Sequence, residues 1–147
     1  MENYDAAMAQ RVWQRVRGEE TAHPGLQALA AAERSEAAVY LILSKVLQNR
    51  EKLLLRQIFT QEQEHAACLR GIHFLTIDKP LALRTVPPAS EPPEITLRKS
   101  YVRKLRALQE YESRASDPEY GPAFAHMARQ EREHCVLILQ ILGRLRG

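Results

Sequence analysis

Glu62 and His65 stand three residues apart, and so do Glu131 and His134, each pair inside a near-identical run: Gln61-Glu62-Gln63-Glu64-His65 and Gln130-Glu131-Arg132-Glu133-His134. Residues at i and i+3 share one face of an α-helix, so each run aims a carboxylate and an imidazole the same way. Carboxylates can bridge two cations and offset their charge, while neutral imidazole supplies a terminal nitrogen. Two such helices carry half the ligand set of a dinuclear carboxylate centre in the core of a four-helix bundle. Glu33 and Glu36 interrupt an otherwise apolar stripe further upstream, and Tyr40 follows them in register. A buried carboxylate is costly unless it is paired or bound to metal. The candidate ligands are therefore Glu33, Glu62 and Glu131 through oxygen and His65 and His134 through nitrogen.

Such residues need helices to hold them, and the apolar periodicity supplies four long ones. The first opens at His23-Pro24-Gly25 and carries Leu29, Ala30, Glu33, Glu36, Ala37, Tyr40, Leu43 and Leu47 on one face. A tight turn at Asn49-Arg50 leads to the next, with Leu55, Ile58, Glu62, His65, Ala66, Leu69 and Ile72. The short turn makes these two antiparallel neighbours. Residues 77–93 then hold five of the chain's eight prolines and read as an extended connection. A segment over about 94–115 places Glu94, Leu97, Tyr101, Leu105, Leu108 and Glu112 at helical spacing. Asp117-Pro118 ends it, and the last segment runs through Phe124, Met127, Ala128, Glu131, His134, Cys135, Ile138, Ile141, Leu142 and Leu145. No strand-type alternation occurs. The expected fold is all-α, with two antiparallel helical hairpins joined by a long crossover and a short N-terminal helix over residues 4–17, ended by Gly18 and docked on the bundle through Trp13. Residues 1–20 would form that extension and residues 21–147 the bundle. The shift that lays one Glu-x-x-His on the other also superposes the two hairpin turns, as an internal duplication would.

Together Glu33-x-x-Glu36-x-x-x-Tyr40, Glu62-x-x-His65 and Glu131-x-x-His134, in this order on paired helices with a long crossover, resemble the rubrerythrin branch of the ferritin-like superfamily. The resemblance covers about residues 22–146. It implies a ferritin-like four-helix bundle with two irons, Glu62 and Glu131 bridging them, Glu33 as a terminal ligand and Tyr40 as a catalytic aromatic hydrogen-bonding beside the site. It implies reduction of hydrogen peroxide or oxidation of ferrous iron with O2. The ligand types suit manganese as well as iron. The rubredoxin-type tail of the family is absent, so electrons would come from a separate donor protein, and a homo-oligomer is expected.

One position departs from the pattern. The duplication shift lays Glu33 on Val102, with Tyr101 and Arg103 beside it. Glu94 repeats the Glu33–Tyr40 spacing with Tyr101 but lies too far from Glu131, by about 12 Å of helix. Glu36, one turn from Glu33, is the candidate to make up the missing ligand. The expected site is asymmetric, its first half complete. The competing reading is a degenerate, non-catalytic bundle serving as a structural, cargo or single-metal-binding module.

The bulk numbers agree with one domain of ordinary composition: 147 residues, 45% hydrophobic and 27% charged. The net charge of +3 is small. The basic residues Arg98-Lys99, Arg103-Lys104-Arg106 and Arg144–Arg146 read as solvated helix faces rather than a nucleic-acid patch. There is no apolar run of roughly 20 residues, the length a membrane helix needs, and no basic start followed by an apolar stretch, so a cytoplasmic protein without membrane contact is expected. Cys68 and Cys135 form no C-x-x-C and read as small buried side chains. His23, His73 and His126 read as surface or packing residues.

Overall fold

The structure, a computed structural model, describes residues 25–146 apart from 79, 82, 84 and 86. The expected N-terminal helix with Trp13 lies outside the described residues. Four α-helices make up the rest: α1, Leu26–Val46; α2, Asn49–Ile77; α3, Pro93–Ser113; and α4, Gly121–Arg146. Among the described residues there is no strand, and no helix is long and apolar enough to cross a membrane.

The helix ends follow local chemistry. Gly25 takes a left-handed φ of 84° before α1, and its carbonyl accepts the Leu29 N–H at 3.0 Å. The α1–α2 turn is short, with Leu47 and Gln48 extended. Asp78 closes α2 in the left-handed region with φ 61°, the habitual C-terminal cap conformation. Pro93 sits at the first position of α3, where its missing N–H costs nothing. The Asp117 side chain accepts the N–H groups of Glu119 and Tyr120 at 3.0 and 2.6 Å and turns the chain into α4.

Cross-helix pairs give the topology. Glu33 meets Tyr111, Glu36 meets Arg103, and Tyr40 meets Ser100, so α1 and α3 run antiparallel. Glu51 meets Arg144, Gln61 meets His134, and His65 meets Gln130, so α2 and α4 do too. Since α1 is also antiparallel to α2, helices α2 and α3 point the same way. The connection 78–92 must therefore travel the length of the bundle. Extended at roughly 3.1 Å per residue it reaches roughly 45 Å, enough to pass α3 at about 32 Å.

Two apolar layers fill the interior. One joins Leu26, Leu29, Leu69, Ile72, Phe124 and Met127, closed by the Tyr111 ring; the other joins Val39, Leu43, Leu55, Ile58, Leu97 and Ile138, with the Tyr40 ring. All four helices contribute to each layer. Each buried Leu, Ile or Phe is worth about 1.5–3 kcal/mol, and these layers offset the cost of what lies between them. Between them sit Glu33, Glu62, His65, Lys104, Glu131 and His134, all nearly without solvent contact.

The expected inward stripe is buried on α1, α2 and α4, except that Leu145 at the end of α4 is exposed, but α3 is turned. Its buried residues are Leu97, Ser100, Lys104 and Tyr111, whereas Leu105 and Glu112 are exposed. The inward face of α3 meets charged groups rather than an apolar layer at mid-bundle, so its hydrophobicity points to the wrong side.

Candidate metal centre

Each Glu-x-x-His run delivers what its spacing dictates. On α2, Glu62 and His65 both face the interior, as do Glu131 and His134 on α4. Their glutamines complete the arrangement: His65 Nε2 donates to Gln130 Oε1 at 2.7 Å and His134 Nε2 to Gln61 Oε1 at 2.6 Å. Each hairpin thus orients the other's imidazole and leaves Nδ1 facing the carboxylates, as an outer partner of a metal-ligating histidine does. The two rings stack 6.1 Å apart.

The helices that pack against this pair break the symmetry. From α1, Glu33 Oε2 lies 3.5 Å from His65 Nδ1, and Glu131 Oε1 lies 3.1 Å from the same nitrogen. From α3, Lys104 reaches the equivalent place beside His134, with Nζ 3.2 Å from Nδ1. The ammonium also lies 3.1 Å from Glu131 Oε2 and forms an ion pair with Glu62 Oε1. Lys104, not Val102, is the counterpart of Glu33, two residues beyond the position that a simple shift of the Glu-x-x-His runs implies. The second hairpin turns sooner after its site residue but through the longer loop 114–120, so the two halves are out of step. Glu94 pairs with Arg98 and Arg146 at the surface, away from the centre.

Two tyrosines flank the layer. The Tyr111 hydroxyl donates to Glu33 Oε1 at 2.6 Å. Ser100 Oγ donates to Glu36 Oε1 at 2.7 Å, and because a hydroxyl has one hydrogen, Tyr40 is the donor in its contact with Ser100. Arg103 Nε donates to the other Glu36 oxygen at 2.6 Å. Glu36 and the Tyr40 hydroxyl therefore belong to a separate Ser100–Arg103 network. What Tyr40 offers the centre is its ring, 5.2 Å from the Lys104 ammonium, a favourable cation–π placement.

The same motif takes opposite protonation states in its two copies. Burial works against a charged His65, but the Glu131 hydrogen bond and the charges of Glu33 and Glu131 prevail and push it up to about 10. Burial and the positive charges of Lys104 and His65 push His134 down to about 2. A neutral His134 can accept the Lys104 N–H through Nδ1. Glu33 is held below the usual carboxylate range: burial opposes this, but His65, Lys104 and the Tyr111 hydroxyl outweigh it. Glu131 is raised, by burial and then by the Glu33 charge. Burial also raises both cysteine thiols and both tyrosine hydroxyls.

One cation fits this site. Ligand atoms of Glu33, Glu62, His65 and Glu131 lie within 4.8 Å of one another, all buried. Glu33 Oε2, both Glu62 oxygens and Glu131 Oε2 make no aligned hydrogen bond; His65 and Lys104 approach three of these four as charges only. Buried carboxylate oxygens left this way are expensive. On the other side of the layer the Lys104 ammonium lies among Glu62, Glu131 and His134. A cleft of about 590 Å³ between α1 and α3, bordered by Pro88 and Ala89 of the crossover and exposed Lys99 and Arg106, reaches Glu33, Glu62, Lys104 and Glu131.

Sequence reasoning missed Lys104 and Tyr111. Their signal was present, because Lys104 and Tyr111 are spaced as Glu33 and Tyr40 are. A search for acids could not register it. The chain matches no family model, no curated protein and no solved structure.

Proposed function

We propose that this chain is a ferritin-like bundle of the rubrerythrin type whose core holds one redox-active cation, iron or manganese, and acts on a small oxidant such as hydrogen peroxide or O2. The convergence of Glu33, Glu62, His65 and Glu131 in a buried layer is the observation that carries it. Three carboxylates with an imidazole suit either metal, and bound there it would supply one-electron redox chemistry and Lewis acidity. The residues do the rest. Gln130 orients His65, Tyr111 holds Glu33, and the cleft admits a small molecule while the two apolar layers exclude bulk water. The Lys104 ammonium and the Tyr111 hydroxyl are the proton-bearing groups bordering the carboxylates. Electrons come from a separate donor protein.

Loading the protein anaerobically with ferrous iron, removing the excess and measuring iron per chain tests the reading. Retained iron that is lost in Glu131→Ala, with peroxide consumption lost alongside it, supports the proposal. Lys104 favours a second reading, a metal-free structural bundle whose internal cation is the lysine. No retained metal under any loading condition, with the helical fold intact, would establish that reading instead.

A further inference from the structure

We infer that Lys104 stands in the place of a second cation, so this core takes one divalent metal and one tethered ammonium where a symmetric bundle would take two metals. The inference rests on the single-cation reading above and adds why the number is one.

The pseudo-two-fold relation between the hairpins pairs Glu62 with Glu131, His65 with His134, Gln61 with Gln130, Tyr40 with Tyr111 and Glu33 with Lys104. Only the last pair differs in residue type, an acid against a base. Around one half-site stand Glu33, Glu131 and His65 Nδ1. Around the other, Glu62 Oε1, Glu131 Oε2 and His134 Nδ1 all turn to Lys104 Nζ. Those are the contacts a second ion would make. The lysine is only 1% exposed, and the Tyr40 ring lies against its ammonium.

Charge decides the number. Glu33, Glu62 and Glu131 bring three negative charges and Lys104 one positive, so one divalent ion makes the layer neutral. Two divalent ions beside Lys104 would leave two uncompensated positive charges in a buried site, which burial penalises heavily. Glu in place of Lys104 would bring the carboxylates to four, matching two divalent ions.

The test is metal stoichiometry, which needs no turnover. The wild-type chain, Lys104→Glu and Lys104→Asp are titrated anaerobically with cobalt(II) and weighed by native mass spectrometry, with circular dichroism to check the fold. The wild type should hold one ion per chain, and Lys104→Glu two. Lys104→Asp, which also brings the carboxylates to four, should admit a second ion as well, and it decides the matter if Lys104→Glu does not fold. A wild-type chain holding two ions overturns the role of Lys104 but leaves metal binding intact. A wild-type chain holding none overturns the functional reading itself. Folded variants that both stay at one ion overturn the inference.

Discussion

Removing the Lys104 charge in the metal-free protein measures how far the layer depends on it. In Lys104→Met the methylene stem is replaced by an apolar chain of similar length, and Glu62 and Glu131 lose their shared cation. Lys104, Glu62 and Glu131 are each at most 1% exposed, so solvent cannot replace it. Breaking a buried ion pair from one side costs about 3–5 kcal/mol, a large part of the ~5–15 kcal/mol that holds an ordinary domain. With a urea dependence of about 2 kcal/mol per molar, the unfolding midpoint should fall by about 2 M in the presence of a chelator. The deficit should shrink on acidification. Without Lys104 a carboxylate of the layer titrates higher in the folded than in the unfolded chain, so the variant is favoured below that pKa and loses stability as pH rises through it. A divalent ion should restore most of the loss. A midpoint lowered by less than about 0.5 M at about pH 8 would refute the view that the ammonium balances the carboxylates.

Tyr111→Phe removes the donor to Glu33 and should cost about 1.5–3 kcal/mol, as loss of a hydrogen bond to a charged group does. It should also weaken cation binding in competition with a chromophoric chelator, whereas Tyr40→Phe should weaken binding less, because its hydroxyl serves Ser100. The metal-free protein should be most stable near pH 6.5 in thermal melts. Below that, the unfolded chain takes up a proton that folded His134, held down to about 2, refuses; above it, the stability that His65 gains from its carboxylates is lost progressively toward its folded value of about 10. Bound metal should abolish the alkaline limb, since His65 is then deprotonated in the folded state. Gly121→Ala places a Cβ 2.4 Å from the Ala115 carbonyl oxygen, so backbone must shift where α4 begins, at a cost of about 1–3 kcal/mol readable in urea unfolding.

Much of this protein is legible locally. Apolar residues at helical spacing define α1, α2 and α4 and the faces they bury, because those faces meet apolar layers above and below the centre. The proline-rich stretch announces the crossover, since proline cannot extend a helix through it. The twin Glu-x-x-His runs put Glu62 with His65 and Glu131 with His134 on one face by i, i+3 geometry, and the apolar residues in register with them turn that face inward. Helix α3 was not legible in this way. Its inner face carries Ser100 and Lys104, and a pattern of hydrophobicity assigns such residues to solvent. Lys104 sits in the run Arg103-Lys104-Arg106, which looks like a solvated basic face, and only its neighbours are one. Nor could the sequence separate Glu36 from Glu33: one turn apart on α1, they part because Arg103 and Ser100 claim the first and Tyr111 and His65 the second. His65 and His134 share a motif, yet one is held protonated and the other neutral by Glu33 and Lys104, which come from different helices. Periodicity states which face turns inward. The number of cations the centre takes depends on charges that meet only when α1 and α3 close over α2 and α4.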